Sequence, residues 1–216
     1  MENDSGGRET TRGAGIKLCS MRRPQDIDIV NEARPDYIGF IFVPGRGRAV
    51  TPEQAQVLRE KLQPGIRAVG VFIDEDPRIP AEYARRRIID MIQLHGNEDE
   101  AYMKQLRALT DIPVIKAFRI RCPADIAAAN AFPAEHVLLD AGAGGSGEIF
   151  DWSLLGGMRR RFFLAGGLDA GNVADALAAA PSGMVEAVDV SSGVETDGWK
   201  DPEKIRAFVN AVRLFA

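Results

Sequence analysis

The chain predicts a single-domain (β/α)8 barrel of the α/β class, and three observations carry that prediction. Eight short apolar or β-branched runs recur along the 216 residues. Longer amphipathic stretches with helix start and stop signals separate them. The runs begin about 21 to 31 residues apart, the pitch of a barrel with minimal loops. An open doubly wound sheet is the competing architecture, but no G-x-G-x-x-G turn follows the first run.

The runs read as strands are Ile16 to Cys19, Tyr37 to Phe42, Ala68 to Ile73, Ile89 to Leu94, Val114 to Phe118, His136 to Asp140, Phe162 to Ala165 and Ala187 to Val190. Each is nearly continuous in apolar residues, as a strand covered inside by side chains and outside by helices should be. Thr51-Pro52-Glu53 opens one helix, with Thr51 as cap and Pro52 in the first turn. Asn97 to Leu109 starts similarly with a cap residue and acidic first-turn residues, Ala170 to Ala180 stops before Pro181, and Asp201 to Val212 closes the chain. The fifth unit is the weakest, since Pro123 to Phe132 offers only a short helix, and irregular structure is expected there. Residues 16–216 are thus read as one catalytic domain. Residues 1–15, polar and Gly-rich without an apolar signal core, read as a flexible tail.

The composition, 45% hydrophobic and 27% charged, is that of an ordinary globular domain. A net charge of -4 and a pI near 5.3 give no global attraction to nucleic acid or to an anionic membrane. An anionic ligand must therefore be held by local groups. Cys19 and Cys122 lie too far apart in sequence to suggest a disulfide framework, which points to a reducing compartment. No apolar run approaches the roughly 18–20 residues of a membrane helix. A cytoplasmic protein, monomer or homodimer, acting on a small molecule is the expectation.

In such barrels the chemistry sits where strands give way to loops at their C-terminal ends. The strongest positional signal is a pair of small-residue turns: Gly166-Gly167 after the seventh run, and Ser191-Ser192-Gly193 after the eighth. Glycines and hydroxyls let backbone N–H groups close on a phosphate, and these two loops are the usual phosphate site of the class. Either turn alone is equally well a plain tight turn; their falling in register favours phosphate. Cys19 ends the first run, where a thiolate near cations can act as a general base, although a lone cysteine there is more often core packing. Asp140 ends the sixth, either as a turn-forming aspartate or as a partly buried carboxyl suited to general acid chemistry. Arg46 and Arg48 follow the second run and can pair with a carboxylate or stay solvated. His95 either lines the cavity or is a satisfied structural histidine. Two histidines and no Cys/His spacing give no metal site.

Taken in order, Ile16-Lys17-Leu18-Cys19, Gly39-Phe40-Ile41-Phe42, Val69-Gly70-Val71-Phe72, Gln93-Leu94-His95-Gly96, Val114-Ile115-Lys116-Ala117, Leu138-Leu139-Asp140, Gly144-Gly145-Ser146-Gly147 with Phe150-Asp151-Trp152, Leu164-Ala165-Gly166-Gly167-Leu168 and Val188-Asp189-Val190-Ser191-Ser192-Gly193-Val194-Glu195 resemble the phosphoribosylanthranilate isomerase family. The resemblance spans about residues 16–213. It implies an Amadori rearrangement of N-(5-phosphoribosyl)anthranilate in tryptophan biosynthesis, without metal or organic cofactor. It also implies Asp140 as general acid, Cys19 as general base, Arg48 on the anthranilate end, Gly167, Ser191, Ser192 and Gly193 on the phosphate, and Asp189, Gln93 and His95 lining the cavity. Three departures stand out: Ser20 where a glycine is usual, Glu148 where a basic residue is usual, and two arginines in the second loop, so that Arg46 can stand in for Arg48. Glu148 implies a higher Michaelis constant or an outward-facing side chain. Alternatives on the same scaffold are an epimerase, a histidine-pathway aminosugar isomerase, or an aldolase, for which Lys116 inside the fifth run is the candidate Schiff-base lysine. A non-catalytic metabolite-binding barrel is the remaining reading.

Overall fold

The computed structural model describes residues 13–45, 47–142 and 149–215. Eight parallel strands close into a barrel in the order of the chain: β1 (Gly15–Leu18), β2 (Tyr37–Ile41), β3 (Arg67–Phe72), β4 (Met91–Leu94), β5 (Val114–Arg119), β6 (His136–Asp140), β7 (Phe162–Leu164) and β8 (Val185–Val190). Every predicted run coincides with a strand, the ends differing by no more than two residues. β8 closes on β1 with Lys17 opposite Asp189 and Leu18 opposite Val190.

Two apolar layers hold the barrel. Inside, Tyr37, Met91, Ile115, Leu138, Phe163 and Ala187 fill the lumen below the C-terminal mouth, with the Tyr37 and Phe163 rings 5.2 Å apart, edge to face. Outside, Leu18, Ile38, Phe72, Leu94 and Val188 meet the helix faces. Because both faces of each strand are covered, the strands read as continuous apolar runs rather than as alternating ones.

Helices α1 (Pro24–Ala33), α2 (Pro52–Glu60), α3 (Arg78–Arg85), α4 (Glu100–Arg107), α5 (Pro123–Ala131), α6 (Val173–Ala179) and α7 (Pro202–Phe215) surround the strands. Thr51 caps α2 as expected: its hydroxyl accepts from the Gln54 N–H at 3.2 Å, and the Gln54 amide oxygen accepts from the Thr51 N–H at 2.9 Å. Two expectations need correction. The cap of α4 is Asp99, which accepts from the Tyr102 N–H, whereas Asn97 donates to Asp74 on the neighbouring loop. The irregular unit is the sixth, not the fifth. Pro123 at the first position and Asp125 accepting from the Arg121 and Cys122 N–H groups start a regular nine-residue α5. Among the described residues after β6, only a 3-10 turn, Trp152–Gly157, covers the barrel. The glycines at 156 and 157 weaken a longer helix there.

After β8 a 3-10 turn at Ser192–Val194 leads into a two-stranded hairpin of β9 (Glu195–Thr196) and β10 (Trp199–Lys200). This hairpin folds over the seam between β1 and β8, where Trp199 packs under the guanidinium groups of Arg22 and Arg23 about 4 Å from its ring. The proposed tail at 1–15 falls mostly outside the described residues, and β1 begins at Gly15. Replacing Thr51 with Ala should cost about 1 kcal/mol of stability in urea unfolding, through the lost α2 cap, while leaving the barrel mouth unchanged. An unchanged unfolding midpoint would show that this cap contributes nothing.

Candidate active site

A cavity of about 880 Å³ opens at the C-terminal ends of the strands, where the fold class places its chemistry. Cys19, Arg48, Gln93, His95, Asp140 and Asp189 all contribute to its wall, as do Gly166, Gly167, Ser191 and Ser192. Gly193 stays behind it: a side chain there would collide with the Leu168 carbonyl, so its part is to let the β7 and β8 loops touch. Arg46 and the segment Gly144-Gly145-Ser146-Gly147-Glu148 lie outside the described residues.

The seam between β1 and β8 organises one side. Lys17 is fully buried and donates to Asp189 at 2.8 Å, across the register that pairs the two residues. Burial alone would lower the Lys17 pKa. The Asp189 carboxylate and the Cys19 sulfur push it the other way, and the net direction is up, so the group stays an ammonium ion. Two residues further along the chain, Cys19 is held by its N–H to the Val190 carbonyl at 2.8 Å. Its sulfur needs Gly39 as neighbour, since a Cβ there would stand 2.5 Å from the Cys19 Sγ. A second buried cation, Lys200, stands near Cys19; its own pKa is lowered, by burial above all, against the pull of Glu195.

Asp140 stands at the end of β6, with β7 and β8 between it and Cys19. Its carboxyl meets His95 Nε2 at 3.2 Å, and His95 Nδ1 lies 2.8 Å from the Gln93 amide nitrogen. His95 is therefore neither a solvated group nor a core histidine but the middle of a three-residue chain on the cavity wall. Gln93, 1% exposed, leaves its amide oxygen without a partner among the described residues, as Asp189 does one carboxylate oxygen.

Gly166 and Gly167 both have positive φ, 89° and 62°, a backbone that costs other residues about 1–2 kcal/mol. At Gly166 that conformation also brings the backbone close to the end of β6, where a Cβ would stand 2.6 Å from the Ala141 N, and both glycines line the cavity with Ser191 and Ser192. The position of Ser20 has the same requirement: its φ is +72°, a conformation that favours glycine, and yet it carries a side chain.

Arg48 is placed at the mouth but is already engaged. Its Nη2 lies 2.7 Å from Glu195 and its Nε 3.2 Å from each of the same carboxylate oxygens, while Lys200 donates to Glu195 from the other side at 2.9 Å. Lys116 donates to the Gly96 carbonyl at 2.7 Å and to the buried Glu98 at 2.9 Å. A lysine fixed in a buried ion pair is a poor Schiff-base nucleophile, which needs a free amine; the geometry counts against an aldolase.

Sequence reasoning passed over Lys17, Glu98, Glu195, Lys200 and the contact between His95 and Asp140. The signal for Lys17 was present: a charged residue inside an apolar strand run requires a buried partner. Lys200, in a two-residue strand, had none.

The chain also matches known proteins. The family model described as N-(5'-phosphoribosyl)anthranilate (PRA) isomerase matches residues 16–211. An N-(5'-phosphoribosyl)anthranilate isomerase of Acetivibrio thermocellus is 40% identical over 212 residues, covering 92% of this chain and 95% of that protein. The crystal structure of phosphoribosyl anthranilate isomerase from Thermus thermophilus superposes with a TM-score of 0.84 at 32% identity, covering 94% of this chain and 100% of that one. Another, in complex with reduced 1-(o-carboxyphenylamino)-1-deoxyribulose 5-phosphate, gives a TM-score of 0.78 at 31% identity, covering 92% of this chain and 98% of that one.

The Glu195 carboxyl yields a pH prediction. Burial pushes its pKa up, but the Arg48 hydrogen bonds and the Lys200 charge outweigh that and hold it below the ordinary glutamate value. A depressed folded-state pKa stabilises the fold above the unfolded-state pKa and loses that contribution as pH falls through the folded value. Glu195→Gln should therefore be less stable than the parent in urea at neutral pH, and the gap should narrow as pH falls below the ordinary glutamate value and through the lower folded-state one. A gap independent of pH would show that the charge is not what stabilises.

Proposed function

The chain belongs to the N-(5'-phosphoribosyl)anthranilate isomerase family, and from that premise we propose that Asp140 and Cys19 are the acid and base of its reaction. The enzyme isomerises N-(5'-phosphoribosyl)anthranilate to 1-(2-carboxyphenylamino)-1-deoxyribulose 5-phosphate, an Amadori rearrangement of tryptophan biosynthesis. Asp140 gives its proton to the furanose ring oxygen; the bond from that oxygen to C1 breaks, and the anthranilate nitrogen lone pair forms the protonated Schiff base. The Cys19 thiolate then removes the proton from C2, and that electron pair makes the C1–C2 double bond of an enolamine while the nitrogen regains its lone pair. The enol hydroxyl loses its proton and C1 gains one, leaving the ketone, so that no atom is gained or lost overall.

One observation carries the assignment: a thiol and a carboxyl from non-adjacent strands line one cavity, and the β7 and β8 loops form a small-residue cradle beside them. Proton donation to the leaving oxygen and proton removal at the next carbon need two groups at separate points of one bound sugar. Lys17 and Lys200 place two buried cations beside Cys19. His95 orients the Asp140 carboxyl from the side opposite Gln93.

The phosphate takes the ring of Gly166, Gly167, Ser191 and Ser192, with Gly193 joining the two loops. The anthranilate carboxylate takes Arg48. Glu195 takes the Nε proton and one Nη2 proton of that guanidinium, and of its five N–H donors the two on Nη1 and the second on Nη2 are left for the substrate. The protein acts in the cytoplasm on this small phosphorylated aminosugar, and needs no cofactor for the steps above.

Cys19→Ala and Asp140→Ala should each lower kcat/KM for phosphoribosylanthranilate by at least about 10²-fold, with circular dichroism and thermal midpoint close to the parent's. Either variant turning over at the parental rate would remove that residue from the mechanism.

A further inference from the structure

Ser20 is the residue at the rim whose local geometry the fold alone does not require. It is 1% exposed and lines the cavity directly after Cys19. Its backbone is left-handed, with φ at +72°, where a side chain is strained and glycine is free. Strained positions persist when something around them holds them in place. Here the hydroxyl is used: Ser20 Oγ lies 2.8 Å from Ser191 Oγ, across the seam between the first and eighth strands.

The direction of that bond follows from the ligand. An ionised phosphate oxygen only accepts hydrogen bonds, so a Ser191 hydroxyl bound to one must donate to it. The Ser191 oxygen is then left to accept, and Ser20, with its own proton, is the donor. Such chains polarise each link and strengthen the terminal bond. Lys200 steadies the same residue from behind, donating to the Ser191 carbonyl at 2.9 Å.

We infer that Ser20 is a positioning residue for the substrate phosphate: it donates to Ser191, aims the Ser191 hydroxyl into the β7–β8 cradle, and ties that cradle to the backbone that carries Cys19. The inference rests on the phosphate and isomerase reading above. It adds a polar link peculiar to a chain with serine, rather than glycine, at this turn.

Ser20→Gly and Ser20→Ala separate the hydroxyl from the strain. Both should raise KM for phosphoribosylanthranilate about two- to tenfold, the size of one hydrogen bond, with kcat little changed. Both should weaken binding of inorganic phosphate, measured by calorimetry, by a similar factor. Ser20→Gly should have a thermal midpoint at or above the parent's because its backbone strain is gone, so a binding loss in it is not a folding defect. In a Ser191→Ala background, Ser20→Ala should cost nothing further, since the two hydroxyls act as one unit. Parental KM and phosphate affinity in both single variants would overturn the inference, as would full additivity with Ser191→Ala. A parent protein that binds phosphate but turns over no phosphoribosylanthranilate would fail the isomerase reading and leave the Ser20 test standing. A parent that binds no phosphate would overturn both.

Discussion

The ion pair of Lys17 and Asp189 at the barrel seam is the constraint on which the active end depends. An ammonium ion with no solvent exposure costs several kcal/mol unless it is paired, and its partner stands directly opposite on β8. A slip of one residue would turn Lys17 out toward the helix layer and leave Asp189 unpaired inside. The pair therefore specifies how β1 meets β8, and with that register Cys19 and Ser20 come level with Ser191. The base, the phosphate cradle and the closure of the barrel are one structural decision.

Buried lysines recur around the same end, each with its own carboxylate: Lys17 with Asp189, Lys116 with Glu98, and Lys200 with Glu195. This arrangement answers a problem set by the composition. A chain with a net charge of -4 has no overall attraction for an anionic sugar, so positive charge must be concentrated locally and kept in place. The carboxylates make burial of the cations possible, and Arg48 shares one of them, which orients its guanidinium before any ligand arrives. Pre-set donors lose less freedom on binding than solvated ones.

The strands were legible because a barrel strand is buried on both faces, and continuous apolar runs at regular intervals fit few architectures besides a closed parallel sheet. The end of His136–Asp140 follows directly from where the apolar run stops, whereas β2 ends at Ile41, one residue short of the expected Phe42. Helices were less legible where weak local signals competed. α5 forms on Pro123, the Asp125 hydrogen bonds and a run of helix-favouring alanines, while the described part of the sixth unit is a 3-10 turn ending in two glycines. Asn97 and Asp99 are both good cap residues by type, and only the position of Asp74 on a neighbouring loop decides between them.

By itself the sequence determined the (β/α)8 architecture, the strand ends that carry Cys19 and Asp140, and the pair of small-residue turns after the last two strands. Those are properties of single segments, set by hydrophobic period and by residue type at a strand end. Tertiary structure alone decided that His95 joins Gln93 to Asp140, that Arg48 shares Glu195 with Lys200, and that Ser20 reaches Ser191. Ser20 and Ser191 are 171 positions apart, and Arg48 and Glu195 are 147 apart. Closing a cylinder brings such distant strand ends together, and no local pattern in the chain records which polar groups will then stand within a hydrogen bond of each other.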